Sequence, residues 1–349
     1  MSQLVTIALD AMGGDHAPDM VVQGADVASL RHPEARFLLV GDEPRLARLL
    51  ERHARLAAVC ELRHAEDMVG GDDRPSAALR RGRKTSMRKA IDAVKAGEAD
   101  GIVSAGNTGA LMAMAKTVLK MLPGIHRPAI ASTAPTMRGE VVMLDLGANI
   151  ECTADSLVQF AVMGEVFART VLGVVKPTVG ILNVGIETTK GNDVVRGAAR
   201  VLETGRLPIE FHGFIEGDDI TRGTVDVVVT DGFTGNVALK TAEGTARLYS
   251  QFLRAAFRQS LVARLGYLLA RRALQGVRDR LDPRRYNGGM LLGLNGIVVK
   301  SHGGTDALGF ANAIGFAVDM AKHGFNDKVI AEIHQFHADL VAENKAAAV

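Results

Sequence analysis

Seven times along the chain a short run rich in β-branched residues ends in a turn of glycine, asparagine and aspartate, and a segment of helical periodicity follows. Residues 4–9 lead into 10–15, 37–40 into 41–42, 101–103 into 104–109, 141–144 into 145–149, 179–182 into 183–192, 225–229 into 230–236, and 297–299 into 300–304. Apolar runs without alternation need cover on both faces, so the pattern predicts an α/β three-layer sandwich around a mostly parallel sheet. In such sheets ligands bind outside the carboxyl ends of the strands. The unusual turns fall there, and the chain carries 38 glycines in 349 residues, well above an average of about 7%. Glycine lets backbone approach a ligand closely, and the helix start that follows offers free N–H groups to an anion.

The length suits a single catalytic domain over residues 1–349, with an amphipathic helical excursion at 245–290. With 47% hydrophobic and 23% charged residues the composition is that of an ordinary globular protein. No apolar run approaches the length of a membrane span, and the first residues lack the basic flank of a signal peptide. The two cysteines, Cys60 and Cys152, are too few for a metal framework. They are expected to be reduced thiols of a cytoplasmic protein. The net charge of +2 is uneven: residues 254–285 hold nine arginines against Asp279 and Asp282, leaving the remainder mildly acidic. A local basic excess of that kind marks a surface for anionic partners.

Several chemistries lose their signatures. There is no Walker pattern, no Gly-x-Gly-x-x-Gly at the first strand-helix turn, no His-Glu-x-x-His and no Gly-x-Ser-x-Gly. With 4% aromatic residues and no binding module, nucleic acid is not an expected partner. An internal echo stands out instead: Gly106-Asn107-Thr108-Gly109 and Gly232-Phe233-Thr234-Gly235 both open helices. Threonine can cap each one. Together they are expected to place two anion or carbonyl contacts beside one cleft.

Longer stretches carry a resemblance. Residues 9–15 (LDAMGGD), 103–112 (VSAGNTGALM), 144–149 (LDLGAN), 231–236 (DGFTGN), 286–289 (YNGG) and 300–303 (KSHG) are similar to the bacterial phosphate acyltransferases of phospholipid synthesis. The resemblance runs over nearly the whole chain. It implies transfer of a fatty acyl group from acyl carrier protein to inorganic phosphate, with the acyl phosphate passed to a membrane glycerol 3-phosphate acyltransferase. It also implies a fold like that of isopropylmalate dehydrogenase and phosphotransacetylase, a homodimer, and no metal or other cofactor. Thr85-Ser86-Met87 stands where the family usually has Ser-Ser-Met.

Phosphate is anionic and nucleophilic at neutral pH, so its attack on a thioester needs positioning, charge neutralisation and oxyanion stabilisation more than a base. Lys190 is the expected catalytic cation, and Asn236 the expected amide donor to the carbonyl oxygen or else a helix cap; the resemblance singles out both. Phosphate and substrate contacts are expected from Gly13, Gly14, Asp15, Gly106, Asn107, Thr108, Gly109, Asp145, Asn149, Asp231, Gly232, Phe233, Thr234, Gly235 and His302. Asp10, Asp15, Asp145 and Asp231 at strand ends read either as a divalent-cation cluster or, preferably, as braces accepting backbone N–H bonds. His302 is either the acid for the leaving thiolate or a turn histidine, and Cys152 reads as structural.

Arg80, Arg81, Arg83 and Lys84, continued by Arg88 and Lys89, form a basic run suited to an acidic carrier protein or to a solvated helix face. Residues 254–285 interleave arginines with Leu265, Leu268 and Leu269, a composition that fits an interfacial helix pair on the membrane surface or a dimer contact. The expected location is cytoplasmic, peripheral to the inner face of the cell membrane. Competing functions are an acyl-CoA phosphotransacetylase, a metal-dependent decarboxylating dehydrogenase, and a non-catalytic scaffold for lipid synthesis.

Overall fold

In β1 (Val5–Asp10) every residue except Thr6 is buried, which is why the run reads as continuously apolar. Ile7 and Leu9 face one cluster, built with the Asp19–Arg31, Ala154–Val171 and Ala307–Lys322 helices. Ala8 faces the opposite one, built with the Ser86–Lys95 and Thr108–Leu119 helices. Period-two alternation is present, but both directions lead into a core.

The computed structural model describes residues 4–204, 207, 209–280, 282 and 284–346. After β1 come β2 (Ala35–Gly41), β3 (Cys60–His64), β4 (Gly101–Ser104), β5 (Ala129–Pro135), β6 (Glu140–Leu144), β7 (Thr178–Leu182), β8 (Glu210–Ile215), β9 (Val227–Val229), β10 (Gly289–Leu292) and β11 (Ile297–Lys300). They form one sheet in the order β3-β2-β1-β4-β11-β10-β5-β6-β9-β7-β8. The expected three-layer α/β architecture is present, with four strands beyond the seven read from the turns. Two of these, β3 and β8, are half-exposed edge strands whose sequences carry charge.

The other two, β10 and β5, change the topology. β3, β2, β1, β4 and β11 are mutually parallel. β10 is antiparallel to β11 and to β5, and β5 is antiparallel to β6. β6, β9, β7 and β8 are again mutually parallel, and so run opposite to the first group. The carboxyl ends of the two groups therefore point in opposite directions along the sheet.

The Ala154–Val171 helix lies against the second group, with Gly164 at the closest approach. A Cβ there would come within 2.6 Å of Val227 Cγ1 and 2.8 Å of Leu144 Cδ2. The opposite face of these strands holds a smaller cluster of Val141, Met143 and Val228, covered in part by Ala238 and Leu239 of the Gly232–Arg258 helix. That helix and the following Leu261–Arg280 helix then leave the body, and the second buries none of its residues. The excursion is thus a helical hairpin whose first arm begins at Gly232, upstream of the expected start at 245.

Gly164→Leu is expected to overpack this contact and lower stability by roughly 1–3 kcal/mol, read as a lower denaturant midpoint at unchanged slope. An unchanged midpoint would mean that the helix is not seated through Gly164.

Candidate active site

The turns divide between the two groups of strand ends. The first end, after β1, β4 and β11, collects Gly13, Gly14, Asp15, Gly106, Asn107, Thr108, Gly109 and His302. The second, after β6, β9 and β7, collects Asp145, Asn149, Asp231, Gly232, Phe233, Thr234, Gly235, Asn236 and Lys190. β4 and β9 are five strand spacings apart, about 24 Å along the sheet. The two Gly-x-Thr-Gly turns accordingly do not flank one cleft within the chain, because the β10–β5 reversal turns them away from each other.

They also differ in register. Asn107 caps the first helix, accepting from Ala110 N at 2.9 Å. Asp231, one residue before the second motif, caps the other, accepting from Thr234 N and Thr234 Oγ1, both at 2.8 Å. Neither threonine is the cap, and Asn236 lies in the second helical turn, which removes its alternative role as an N-cap.

At the first end the polar groups satisfy one another. The buried Asp10 carboxylate accepts from Ser86 Oγ and Ser104 Oγ, each at 2.6 Å, while burial pushes its pKa upward. Lys300 Nζ donates to Ala105 O at 3.3 Å and also to Ser301 O. Burial lowers its pKa to about 8, against the opposing pull of Asp10 and Asp15. Asp15 N donates to Gly303 O at 2.9 Å, joining two of the turns. His302 Nδ1 accepts from Gly304 N at 3.2 Å, the pattern of a turn histidine. Ser86, Ser104 and Lys300 escaped the sequence reading although Lys300 opens one of its motifs, because only the fold sets β11 beside β4.

At the second end Asp145 is buried and accepts five hydrogen bonds. Oδ1 takes Ile130 N at 2.9 Å, Ala148 N at 3.0 Å and Gly147 N at 3.2 Å. Oδ2 takes Asn149 N at 2.7 Å and Asn149 Nδ2 at 2.8 Å. Burial raises the Asp145 pKa and these donors oppose the rise. Asn149 Nδ2 also donates to Pro128 O, and Asn149 O accepts from Gly232 N at 2.7 Å. The Asp145 carboxylate and both nitrogens of Asn149 are thus engaged in bracing their own turn, the preferred reading for the strand-end aspartates. Among the described residues no cluster of three or more His, Cys, Asp or Glu is arranged to hold a metal ion.

Lys190, on the loop after β7, and Asn236, in the helix after β9, are both exposed, on elements that leave the same end of these adjacent parallel strands. The Lys190 loop is stitched by Asn183 Nδ2 to Gly185 O at 3.1 Å and by Lys190 N to Glu187 O at 3.0 Å. Gly185 leaves room for the lysine stem, since a Cβ there would meet Lys190 Cγ at 3.1 Å. Cys152 is half-buried beside the Asp145 turn, its Sγ donating to Asn149 O at 3.8 Å, with its pKa pushed up to about 11 by burial and by the negative charge of Asp145. Both causes favour the thiol over the nucleophilic thiolate. The second end therefore presents an exposed cation after β7 and an exposed amide after β9.

Arg80, Arg81, Arg83 and Lys84 are all exposed, and Lys84 is paired with Glu66 at 2.7 Å. They flank the first end, where Asn107 Nδ2 donates to Gly71 O and Asp73 O just before their helix, Pro75–Arg81.

Residues 5–328 match the family described as fatty acid synthesis protein. The chain is 64% identical to a phosphate acyltransferase of Rhodospirillum centenum, over 98% of this chain and 96% of that protein. It is 62% identical to one of Rhodospirillum rubrum, over 95% of each, and 59% identical to one of Paramagnetospirillum magneticum, over 100% and 99%. In fold it is similar to a phosphotransacetylase of Streptococcus pyogenes, with a TM-score of 0.63 at 19% identity over 91% and 94% of the two chains. A second such structure, the EutD phosphotransacetylase of Staphylococcus aureus, gives 0.60 at 19% identity, again over 91% and 94%. Sequence identity of this extent, over nearly the full length of both chains, makes the chain a member of the phosphate acyltransferase family, an enzyme that transfers an acyl group to phosphate in phospholipid synthesis.

Proposed function

We propose that the transfer takes place at the second end of the sheet, between Lys190 and Asn236, with acyl carrier protein as the acyl donor. The observation that carries this reading is the adjacency of parallel β7 and β9, which brings out at one end of the sheet an exposed lysine and an exposed amide that have no side-chain partner among the described residues. A phosphate oxygen attacks the thioester carbonyl carbon, the carbon–sulfur bond breaks, and the thiolate leaves with the carrier to take a proton from water. Lys190 balances the charge of the phosphate, and Asn236 Nδ2 donates to the carbonyl oxygen as it becomes an oxyanion. The helix that begins at Gly232 adds the positive end of its dipole. No side chain is required as a base.

Arg80, Arg81 and Arg83 have no acidic partner among the described residues; they flank the first end, so in this reading the acidic carrier they meet delivers its acyl group to the second end of the other subunit of a homodimer. The hairpin of Gly232–Arg258 and Leu261–Arg280 takes the membrane surface. Leu265, Leu268 and Leu269 are exposed on it, and Phe257 packs on Tyr267 with ring centroids 5.3 Å apart to hold the arms together. No described helix is long and apolar enough to cross a membrane, so contact is by adsorption. Arginines near an anionic surface contribute about 1 kcal/mol each, and the leucines add apolar burial. The acyl phosphate is an amphiphile, and its release at a bilayer keeps it from bulk water and hands it to a membrane acyltransferase. A homodimer contact through the same leucines is the competing use.

The central test supplies palmitoyl carrier protein and phosphate and follows acyl phosphate by mass spectrometry. Lys190→Ala and Asn236→Ala are each expected to lower turnover by roughly 10²-fold or more with the fold intact, and Cys152→Ala to stay active. Near-wild-type turnover in both of these variants would remove the reaction from this end. Reversing Arg80, Arg81 and Arg83 to glutamate should raise the KM for carrier protein about tenfold and leave the KM for phosphate alone; an unchanged carrier KM would move the docking face elsewhere. Replacing Leu265, Leu268 and Leu269 by glutamate should abolish co-sedimentation with anionic vesicles while the oligomeric state and activity in solution persist. A monomer that still binds vesicles would make the hairpin a subunit interface.

A further inference from the structure

We propose that Asp145 is a positioning residue for the acyl transfer: its carboxylate holds the 145–149 turn against the start of the Gly232–Arg258 helix and thereby fixes where Asn236 presents its amide. The inference rests on the reading of Asn236 given above. Asp145 touches neither of the exposed groups assigned to the reaction. Its influence has to pass through the turn it organises.

That turn wraps the start of the helix closely. Asn149 O accepts from Gly232 N at 2.7 Å. A Cβ on Gly232 would meet Asn149 O at 2.6 Å and Asp145 Oδ2 at 2.8 Å, and one on Gly235 would fall on Asp145 O. The two glycines of the motif are therefore there to admit the 145–149 backbone. Gly147 has a φ of +131°, and what lies nearest its missing side chain is Asn236, Cβ and Cγ both at 3.8 Å. The turn that Asp145 builds thus seats the start of the helix through Gly232 and Gly235, and faces Asn236 across the space a side chain on Gly147 would fill.

The carboxylate is hard to replace in this role. Both oxygens are acceptors, Oδ1 for three donors and Oδ2 for two. An asparagine would turn its NH₂ toward one of those two sets and push two or three N–H groups away. The turn would shift, and Asn236 with it. Displacement of a transition-state donor by about 1 Å can cost on the order of 10²-fold in rate.

The test is a double-mutant cycle on the full chain with palmitoyl carrier protein and phosphate. Asp145→Asn is expected to lower kcat between about 10-fold and 100-fold while both KM values stay within about twofold. In an Asn236→Ala background the same change should cost less than about threefold. Asn149→Ala, which keeps the carboxylate and its backbone donors, should show the same dependence on Asn236 with a smaller loss, and it decides the matter if Asp145→Asn does not fold. Equal losses in both backgrounds, or an Asp145→Asn enzyme with wild-type kcat, would overturn the positioning role and leave Asn236 in place. An Asn236→Ala enzyme with full turnover would instead remove the reading of Asn236 itself, and the inference with it.

Discussion

The buried carboxylate of Asp145 is the contact on which the second half of the molecule is organised. A carboxylate withdrawn from water is costly unless its lone pairs find donors, and here five arrive from three places. Ile130 brings its amide from β5, the turn folds Gly147, Ala148 and Asn149 back, and the Asn149 side chain closes the ring while holding Pro128. The Asp145 backbone in turn donates to Thr230 O at 2.9 Å, just before the long helix. The ends of β5, β6 and β9 are thereby locked into one unit, and the glycines of residues 232–235 are small because that unit occupies their space.

The strand reversal at β10 and β5 gives the sheet two polar ends of different character. At the first, Asp10, Ser86, Ser104 and Lys300 are turned inward onto one another and onto carbonyls. Such a network rigidifies the glycine turns around it. At the second, the buried acid serves the turn around it, while Lys190 and Asn236 stay outside, exposed to solvent. Cys152 lies close by, but burial and the neighbouring acid keep its proton on. Phosphate, which arrives as a nucleophile, has no need of one.

The helical hairpin stands apart in its energetics. Its first arm buries only Gly232 and Gly235, and its second arm buries nothing. Leucines exposed on such arms contribute little to the folding of a lone chain, so whatever selects them acts through a surface the hairpin meets. Its attachment beside Asn236 couples that surface to the second end of the sheet.

The layered architecture was legible in the sequence because strands buried on two faces cannot hide their composition: β1, β6 and β9 are apolar almost throughout. Lys190 stood out as a candidate in the turn after an apolar run and Asn236 as a member of a long motif, and Asp145 was legible as a brace by its place at a strand end. The edge strands β3 and β8 were not, since half-exposed strands carry the mixed polarity of loops. Nor was the division of the glycine turns into two ends, which depends on the direction of β10 and β5. Strand direction is set by which elements pair at long range, and a local pattern of apolar residues reads the same in either sense. Tertiary structure alone decided that Asp145 and Asn149 spend their hydrogen bonds on their own turn, because Ile130, Pro128 and Gly232 reach them only once β5, β6 and β9 are assembled side by side.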